Sequence, residues 1–570
     1  MGKWLVGVVL VLLAGAGIFY GLKKVTPDID HEPLGFLREY LAQHLEHADR
    51  AEFLQIHAWQ NGELAGQVSL KSDKGWQLLL NTAINTLKEL EFEQLTLCFG
   101  YNFVPEATPL KSKNSFQTLT GVKGVEFEYN GKKVNYCGLV AVATNRTPWL
   151  ILEDFTSQLG AELSEVNSSQ LIMQTYDNEQ FYADVARKEI TRLYRGNTLV
   201  PITDVSRDSV TRMSNRLASW LVNNTSKTTG ETQYKYWPSL DAFSQSNNMI
   251  RQFMASYALQ VWANRQQDES LRSLAQQNLQ HNLDAFYKTE EDIGYIEYNG
   301  KRKLGAAALA ALAIFTSPQR DDFSQSYNGL ANAIAGQWQP DGMFRTFIRQ
   351  ERNDVHNFYP GEALYYWAHV IEQEGPTSPL LDKFMKSART YMAWHKSARN
   401  PAFIPWHTQA YFKVWQVTKD PFLAQSIKQM NDWLVVVMQG YEEHLGYEYP
   451  DFEGRFYFPD GGFGPPHASA TGVYLEGLID AWLLAKLTGD EARQELYRLV
   501  IVKGIRHAMQ LEFTDDAQMY YIRNKQAVLG GLRSQVYNNE IRVDNVQHNL
   551  LALLKIIDRF SAGDYQQPAP

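Results

Sequence analysis

Hydrophobic and polar residues alternate with two different periodicities along this chain. From about residue 35 to 200, apolar positions recur every second residue in short runs, and residues 52–59 and 63–70 flank Asn61-Gly62, a dipeptide that favours a type I′ hairpin. The other elements predicted here are a helix over 76–90, a strand over 94–99, a hairpin at Asn130-Gly131 and a helix near 152–159. Residues 31–200 are therefore predicted to form an α+β domain with antiparallel strands.

From about residue 205 the spacing becomes that of amphipathic helices. Within 249–262, apolar residues fall at 250, 253, 254, 257 and 261, which lie on one helical face. Five joins pair a capping residue with Pro or Glu, at 267–269, 316–318, 377–379, 419–421 and 489–491. Each join marks one αα-hairpin. They leave a last helix at about 543–560, for which a helix at 207–222 is the predicted partner.

Six successive αα-hairpins resemble an (α/α)6 toroid, the barrel found in many glycoside hydrolases, polysaccharide lyases and sugar epimerases. An α-solenoid that binds partners has a similar repeat, but its turns are short and uniform. Here the loops at 336–344 and 457–464 are long, glycine-rich and aromatic, which favours the closed ring. The resemblance implies an all-α toroid over 201–562, followed by a tail at 563–570.

The first domain also resembles a known family. Its strand, its hairpin at Asn61-Gly62-Glu63-Leu64, its helix with Asn81-Thr82-Ala83 and its strand over 95–99 follow the order of elements in the AMMECR family domain. The resemblance covers about residues 35–190. That family carries the signature Leu-Arg-Gly-Cys-Ile-Gly, whereas this chain has Leu64-Ala65-Gly66-Gln67-Val68-Ser69. Because the arginine and the cysteine are missing, the resemblance implies a binding or docking module rather than a catalyst.

The amino terminus predicts contact with a membrane. Residues 4–22 are apolar or small throughout, and lysines at positions 3, 23 and 24 bracket them. At 1.5 Å per residue this segment matches a hydrocarbon core of roughly 30 Å, so residues 1–30 are predicted to be a retained anchor in a lipid bilayer. A cleaved signal peptide ending near Ala14-Gly15-Ala16 and a buried helix are the alternatives. The short amino tail favours a soluble body outside the cytoplasm, periplasmic or extracellular.

Composition removes several classes of function. The 570 residues are 44% hydrophobic and 13% aromatic, which excludes a disordered chain. The net charge of −9, without a basic run, predicts no nucleic-acid partner. Two cysteines, Cys98 and Cys137, exclude a four-thiolate zinc site, and a disulfide between them is left open. No HExxH, G-x-S-x-G, Walker A or Rossmann motif is present, so neither a metal nor a cofactor is predicted.

Polar residues cluster just ahead of the inner helices of the predicted toroid, where ligands bind in such a ring. Four histidines fall there, and the predicted catalytic residues are His356, Glu362, His407, His467 and His548. The predicted substrate-binding residues are Trp338, Asp341, Arg345, Tyr359, Trp406, Asp460, Arg542 and Asn545. Each has a structural alternative as a helix cap, a turn residue or a core aromatic. Together they suit a sugar, whose C–H face stacks on rings while its hydroxyls need polar partners.

Two hypotheses of function follow. The first is a membrane-anchored extracytoplasmic carbohydrate-active enzyme that acts on a surface polysaccharide. Hydrolysis requires two facing carboxylates, whereas lyase-type elimination or C5 epimerisation requires an acid and a base. Elimination or epimerisation is favoured slightly by the presence of Tyr359, Arg345 and Arg542, since an arginine can neutralise the carboxylate of an acidic sugar. The alternative is a non-catalytic scaffold that binds a polymer or a protein in a membrane-associated assembly or export complex. An enzyme requires the five catalytic candidates to converge in one cavity.

Overall fold

A computed structural model describes residues 34–106, 119–166, 170–439, 449–456 and 467–566. The predicted anchor at residues 4–22 lies outside these ranges. Among the described residues, no helix combines the length and the apolarity needed to cross a membrane. The chain divides into two compact units, Met1–Thr198 and Leu199–Pro570.

The first unit is an antiparallel α+β domain. Its strands are β1 (Phe53–Gln60), β2 (Glu63–Lys71), β3 (Gln94–Pro105), β4 (Lys123–Tyr129), β5 (Lys132–Tyr136), β6 (Ile172–Asp184) and β7 (Glu189–Leu193). Its helices are α1 (Gly35–His44), α2 (Trp76–Leu87), α3 (Gly138–Ala143) and α4 (Pro148–Gln158). Within the described ranges the sheet order is β2-β1-β3-β6-β4-β5, with β7 also paired to β6.

The predicted hairpins of this unit are confirmed. Asn61 and Gly62 both have positive φ, 52° and 74°, as a two-residue type I′ turn requires, and Asn130 and Gly131 repeat the pattern at 51° and 74°. Alternate residues of β1 face α1 and α2 in one apolar core. Cys98 and Cys137 are buried and unbridged.

The second unit is built mainly from helices. They are α5 (Arg207–Asn223), α6 (Met249–Gln266), α7 (Glu269–Phe286), α8 (Leu304–Thr316), α9 (Ser324–Gln337), α10 (Tyr359–Glu374), α11 (Leu381–Ser397), α12 (Phe403–Thr418), α13 (Pro421–Leu434), α14 (Ala468–Leu487), α15 (Glu491–Leu511), α16 (Asp516–Met519) and α17 (Val543–Arg559). Short strands join them: β8 (Lys235–Trp237), β9 (Ala242–Phe243), β10 (Tyr287–Glu290), β11 (Ile293–Tyr298), β12 (Lys301–Arg302), β13 (Arg533–Gln535) and β14 (Asn538–Arg542).

Six of these helices form a closed inner ring in the described part of the chain. α6, α8, α10, α12, α14 and α17 pack in that order, and α17 returns to α6. The outer layer consists of α7, α9, α11, α13, α15 and α5. The predicted closure is confirmed, because α5 packs on α17 and Arg207 donates to the carbonyl of Phe560 at 2.8 Å. Five inner helices lead into an outer one through a short join, and the end of α17 lies against the start of α5, so all six inner helices start at the same rim.

Three of the five joins cap the next helix as the sequence predicts, at Asp268, Asp420 and Asp490. The other two do not, because α9 and α11 begin farther along the chain, after Phe323 and Leu380. The carboxylate of Asp268 accepts from the backbone N–H groups of Ser270 and Leu271 at the start of α7. Asp420 caps α13 in the same way, with Pro421 at its first position. Each cap satisfies N–H groups that a helix start leaves without a partner.

Candidate functional site

A small cavity lies on the axis of the ring. Its volume is about 120 Å³, and its wall includes Tyr257 of α6, Tyr365 of α10, Gln409 of α12, Glu476 of α14 and Lys555 of α17. These positions identify the axial face of each inner helix. Residues three, four or seven positions away share that side of a helix, so Glu362, Trp406 and His548 lie one or two turns nearer the helix starts.

Aromatic contacts connect these axial side chains. The hydroxyls of Tyr257 and Tyr365 lie 3.4 Å apart. The rings of Tyr365 and Trp406 are 6.1 Å apart between centroids, and Trp406 meets the imidazole of His548 edge-on at 5.9 Å. Side chains from α6, α10, α12 and α17 therefore meet at one place, with the flat rings that a sugar can stack on.

His548 and Glu476 form a buried pair. Nδ1 of His548 lies 2.7 Å from Oε1 of Glu476, and their side chains are 12% and 2% exposed. A carboxylate only accepts hydrogen bonds, so Nδ1 carries the proton in the neutral imidazole and Nε2 carries the lone pair. This arrangement suits a general base whose orientation is fixed by a carboxylate.

Glu362 is a further titratable group, near the start of α10. It is 2% exposed, and its Oε2 has no hydrogen-bond partner. The carboxyl lies against Gly305 of α8, where a Cβ would come within 1.6 Å of Oε2. Burial raises the pKa of Glu362 to about 8, and Lys303 offsets only part of that rise. Glu362 is therefore protonated at neutral pH and can donate a proton.

Lys555 is a further charged residue in the wall of the cavity. Its ammonium donates to Asp480 at 2.6 Å, to the Glu476 carbonyl at 2.7 Å and to Gln409 at 3.2 Å. Burial lowers its pKa to about 8, although Asp480 opposes this. Because all three ammonium protons have acceptors, Lys555 ties α12, α14 and α17 together.

A charged cluster occupies the rim beside His548. Asp544 accepts from Arg542 through both carboxylate oxygens at 3.0 Å and lies 2.9 Å from Arg251. Burial opposes ionisation of Asp544, but the two arginines outweigh it and lower its pKa to about 2. His467 caps α14 by accepting from the N–H of Ala470 at 3.1 Å. Burial, reinforced by Arg542, lowers the pKa of His467 to about 4.

The structure does not bring His356 and His407 to this cavity. His407 stacks on Phe403 at 3.6 Å between centroids, and its Nδ1 lies 3.1 Å from the hydroxyl of Tyr411. Helix α12 begins at Phe403 rather than after His407, so His407 points about 200° away from Gln409. His356 lies beside Tyr391 and Trp394 of the outer helix α11. Burial lowers the pKa of both histidines.

The predicted substrate-binding residues also divide. Trp406 contacts Tyr365 and His548, and Tyr359 packs on Phe347 near Glu362. Arg542 lies at the rim, paired with Asp544. Trp338 donates to Ser387 of α11, and Arg345 is exposed. The remaining two described residues have structural roles: Asp341 accepts from Met343 in a tight turn, and Asn545 donates to Leu532 and Ser534. Asp460 lies outside the described residues.

Sequence reasoning missed Tyr257, Tyr365, Lys303 and Lys555. A detectable signal existed for two of them: Tyr365 follows the predicted Glu362 by three residues, and Lys555 follows the predicted His548 by seven, so each shares a helical face with a predicted residue. Glu476 has no such neighbour among the predicted residues, and only the ring geometry places it beside His548.

One group of residues in the described ranges has the spacing of a metal site, and it lies in the first unit. Glu46, His47 and Glu179 bring their ligand atoms within 4.8 Å of one another. Glu179 already accepts from the N–H of His47 at 2.8 Å and lies 3.3 Å from Arg192. The guanidinium therefore supplies the positive charge that a metal ion would bring.

Comparison with known proteins gives a fold likeness only. No family model matches the chain, so the AMMECR resemblance is unsupported, and no curated protein matches it. A D-mannose isomerase structure has a TM-score of 0.46 and 11% identity, over 62% of this chain and 98% of that one. An unsaturated glucuronyl hydrolase specific for heparin gives 0.43 and 12%, over 62% and 97%. The GH76A α-1,6-mannanase from Salegentibacter sp. HEL1_6 gives 0.43 and 9%, over 61% and 98%. At these scores none of them identifies the activity of this chain.

Proposed function

We propose that the toroid is a carbohydrate-active enzyme that works by acid–base catalysis at its axial site. The observation that carries this proposal is the buried Glu362 carboxyl, whose Oε2 lacks a partner and whose pKa is about 8. A proton donor at neutral pH is what cleavage or rearrangement of a sugar chain requires.

The proposed division of roles follows from the two environments. Glu362 donates a proton to the leaving glycosidic oxygen in an elimination, or to the C5 carbon in an epimerisation. His548, held through Nδ1 by Glu476, removes a proton through Nε2. Trp406 and Tyr365 provide rings for the sugar face. Because Glu476 is already bound to His548, this set favours lyase-type elimination or C5 epimerisation over hydrolysis, which needs a second free carboxylate.

The proposal is tested on the full chain purified in detergent. We expect one class of polysaccharide, acidic or neutral, to be changed chemically. New reducing ends report hydrolysis, ultraviolet absorbance of unsaturated uronates reports elimination, and deuterium uptake at C5 reports epimerisation. If a polysaccharide is retained by the protein in affinity electrophoresis but all three assays stay blank, the scaffold hypothesis replaces the enzyme.

We further propose that residues 4–22 hold this enzyme at the outer face of a membrane, where a surface polysaccharide is within reach. Their length and apolarity suit a bilayer core. Amino-terminal sequencing of the membrane-extracted protein is expected to begin at or near Met1. A mature chain that begins after Ala16 would contradict the anchor and support a cleaved signal peptide.

A further inference from the structure

A second cavity lies at the rim next to Glu362. It has a volume of about 220 Å³ and is bounded by the start of α6 and by the hairpin of β11 and β12. Tyr298, Lys301 and Lys303 form one side, and Asn247 and Asn248 form the other. Lys303 belongs to both places, since it lines this cavity and also acts on the charge of Glu362. Lys303 thus connects this cavity to Glu362, whereas this cavity and the axial one share no lining residue.

The local fold explains why two lysines face the same space. Asn299 and Gly300 have φ of 50° and 68°, the turn that joins β11 to β12. The chain stays extended from Lys301 to Lys303, which has φ −80° and ψ 132° just before α8 begins. In an extended chain, residues two apart point to the same side. Both ammonium groups are therefore presented to the cavity.

The charges around Lys303 do not balance within the described residues. Lys303 is half-buried, and neither it nor Lys301 has an ion pair or a side-chain hydrogen bond there. The other charged groups that act on Lys303 are Arg251, Arg352 and Glu362.

Neither arginine changes this balance. Arg251 is paired with Asp544 at 2.9 Å, and Arg352 with Asp354 at 2.6 Å. Glu362 can bring at most one negative charge, against the two positive charges of Lys301 and Lys303. An excess of positive charge therefore remains at this cavity, and one of its two lysines is half-buried.

We propose that this cavity binds the anionic group of an acidic sugar, with Lys301 and Lys303 as its ligands. The inference rests on the proposed function in that it takes the ligand to be a glycan and names the class. An anion here would gain charge-assisted hydrogen bonds from both lysines and would relieve their mutual repulsion. The adjoining sugar unit would then lie beside Glu362. Arginine was expected to fill this role, but Arg542 is engaged by Asp544 and Arg345 is exposed elsewhere.

The test measures binding, not turnover. The full chain in detergent is titrated calorimetrically with three oligosaccharides: trigalacturonate, its carboxyl-reduced neutral counterpart, and a sulfated trisaccharide of similar length. We expect the neutral sugar to bind about tenfold or more weakly than an acidic one, and Lys303→Met or Lys301→Met to remove that difference. Added salt should weaken only the acidic ligands. The carboxylated and sulfated arms decide which anionic group is preferred.

Lys288→Met is the matched control, because Lys288 lies exposed on β10 of the same small sheet but does not line the cavity. It should leave all affinities unchanged. Lys303→Arg should restore part of the lost affinity. If Lys303→Met lowers the melting temperature strongly, the exposed Lys301→Met variant decides alone. Equal affinity of the wild-type chain for acidic and neutral sugars, or unchanged affinity in both methionine variants, would overturn the inference.

The two proposals fail separately. Lysine-dependent binding without any chemical change would keep this anion site and reject the enzyme. Turnover of a neutral polysaccharide that Lys303→Met does not alter would keep the enzyme and reject the anion site.

Discussion

Glu362→Gln is expected to abolish turnover while making the folded chain more stable at alkaline pH. Glutamine has the shape of the protonated carboxyl but cannot give up a proton, so we expect a loss of roughly 100-fold to 10,000-fold in kcat on whichever polysaccharide the wild-type chain turns over. The wild-type rate should itself fall above about pH 8, where Glu362 loses its proton.

The stability effect has a definite sign. The pKa of the Glu362 carboxyl is raised from 4.5 to about 8 in the folded chain. Between these values the folded state binds more protons than the unfolded state, so the free energy of unfolding falls as pH rises. Because glutamine does not ionise, the Glu362→Gln variant does not show this fall in the free energy of unfolding. At about 1.4 kcal/mol per pKa unit, the variant should gain on the order of 4 kcal/mol over wild type at pH 9 and nothing at pH 4. Denaturant melts at the two pH values measure it.

Glu512→Gln is the matched control. Glu512 is also buried, and burial raises its pKa, but both of its oxygens accept from Arg216 at 2.7 Å. Its replacement should lower stability by about 1–3 kcal/mol and leave kcat unchanged, because an ion pair outside the site is lost. A Glu362→Gln variant that gains stability at pH 9 but keeps full activity would assign Glu362 a purely structural role.

The ring itself could be predicted from the sequence because its signals are local. Asp268 and Asp420 cap helices through atoms two or three residues away, and apolar periodicity gives each helix its buried face. Counting the hairpins then left α5 and α17 as the pair that closes the ring, as observed.

The site was harder to predict because it depends on where each helix begins. Placing the start of α12 after His407 put that histidine at the rim, but the helix begins four residues earlier, at Phe403. Two positions along a helix turn a side chain about 200°, so Gln409 reaches the axis and His407 does not. Helical periodicity could not identify Lys303 as a site residue, because Lys303 directly follows the β11–β12 hairpin. The position of that hairpin over the rim is set by tertiary packing.

His548→Gln and His407→Gln are expected to have opposite effects. In the His548→Gln variant the new amide could still donate to Glu476, so the buried carboxylate would keep its partner, but the amide could not take up a proton. We expect kcat to fall about 100-fold or more with little change in melting temperature.

In the His407→Gln variant the amide would replace a buried ring that stacks on Phe403 and contacts Tyr411. We expect a loss of about 2–4 kcal/mol in the free energy of unfolding, with kcat per folded molecule unchanged. His281→Gln, on the outer helix α7, should change neither quantity. Full activity in His548→Gln, or lost activity with an unchanged melt in His407→Gln, would move the chemistry away from the axial site. We expect the chemistry at His548 and not at His407 for a geometric reason. His548 lies seven residues before Lys555 on the axial face of α17, whereas His407 packs between α11 and α12.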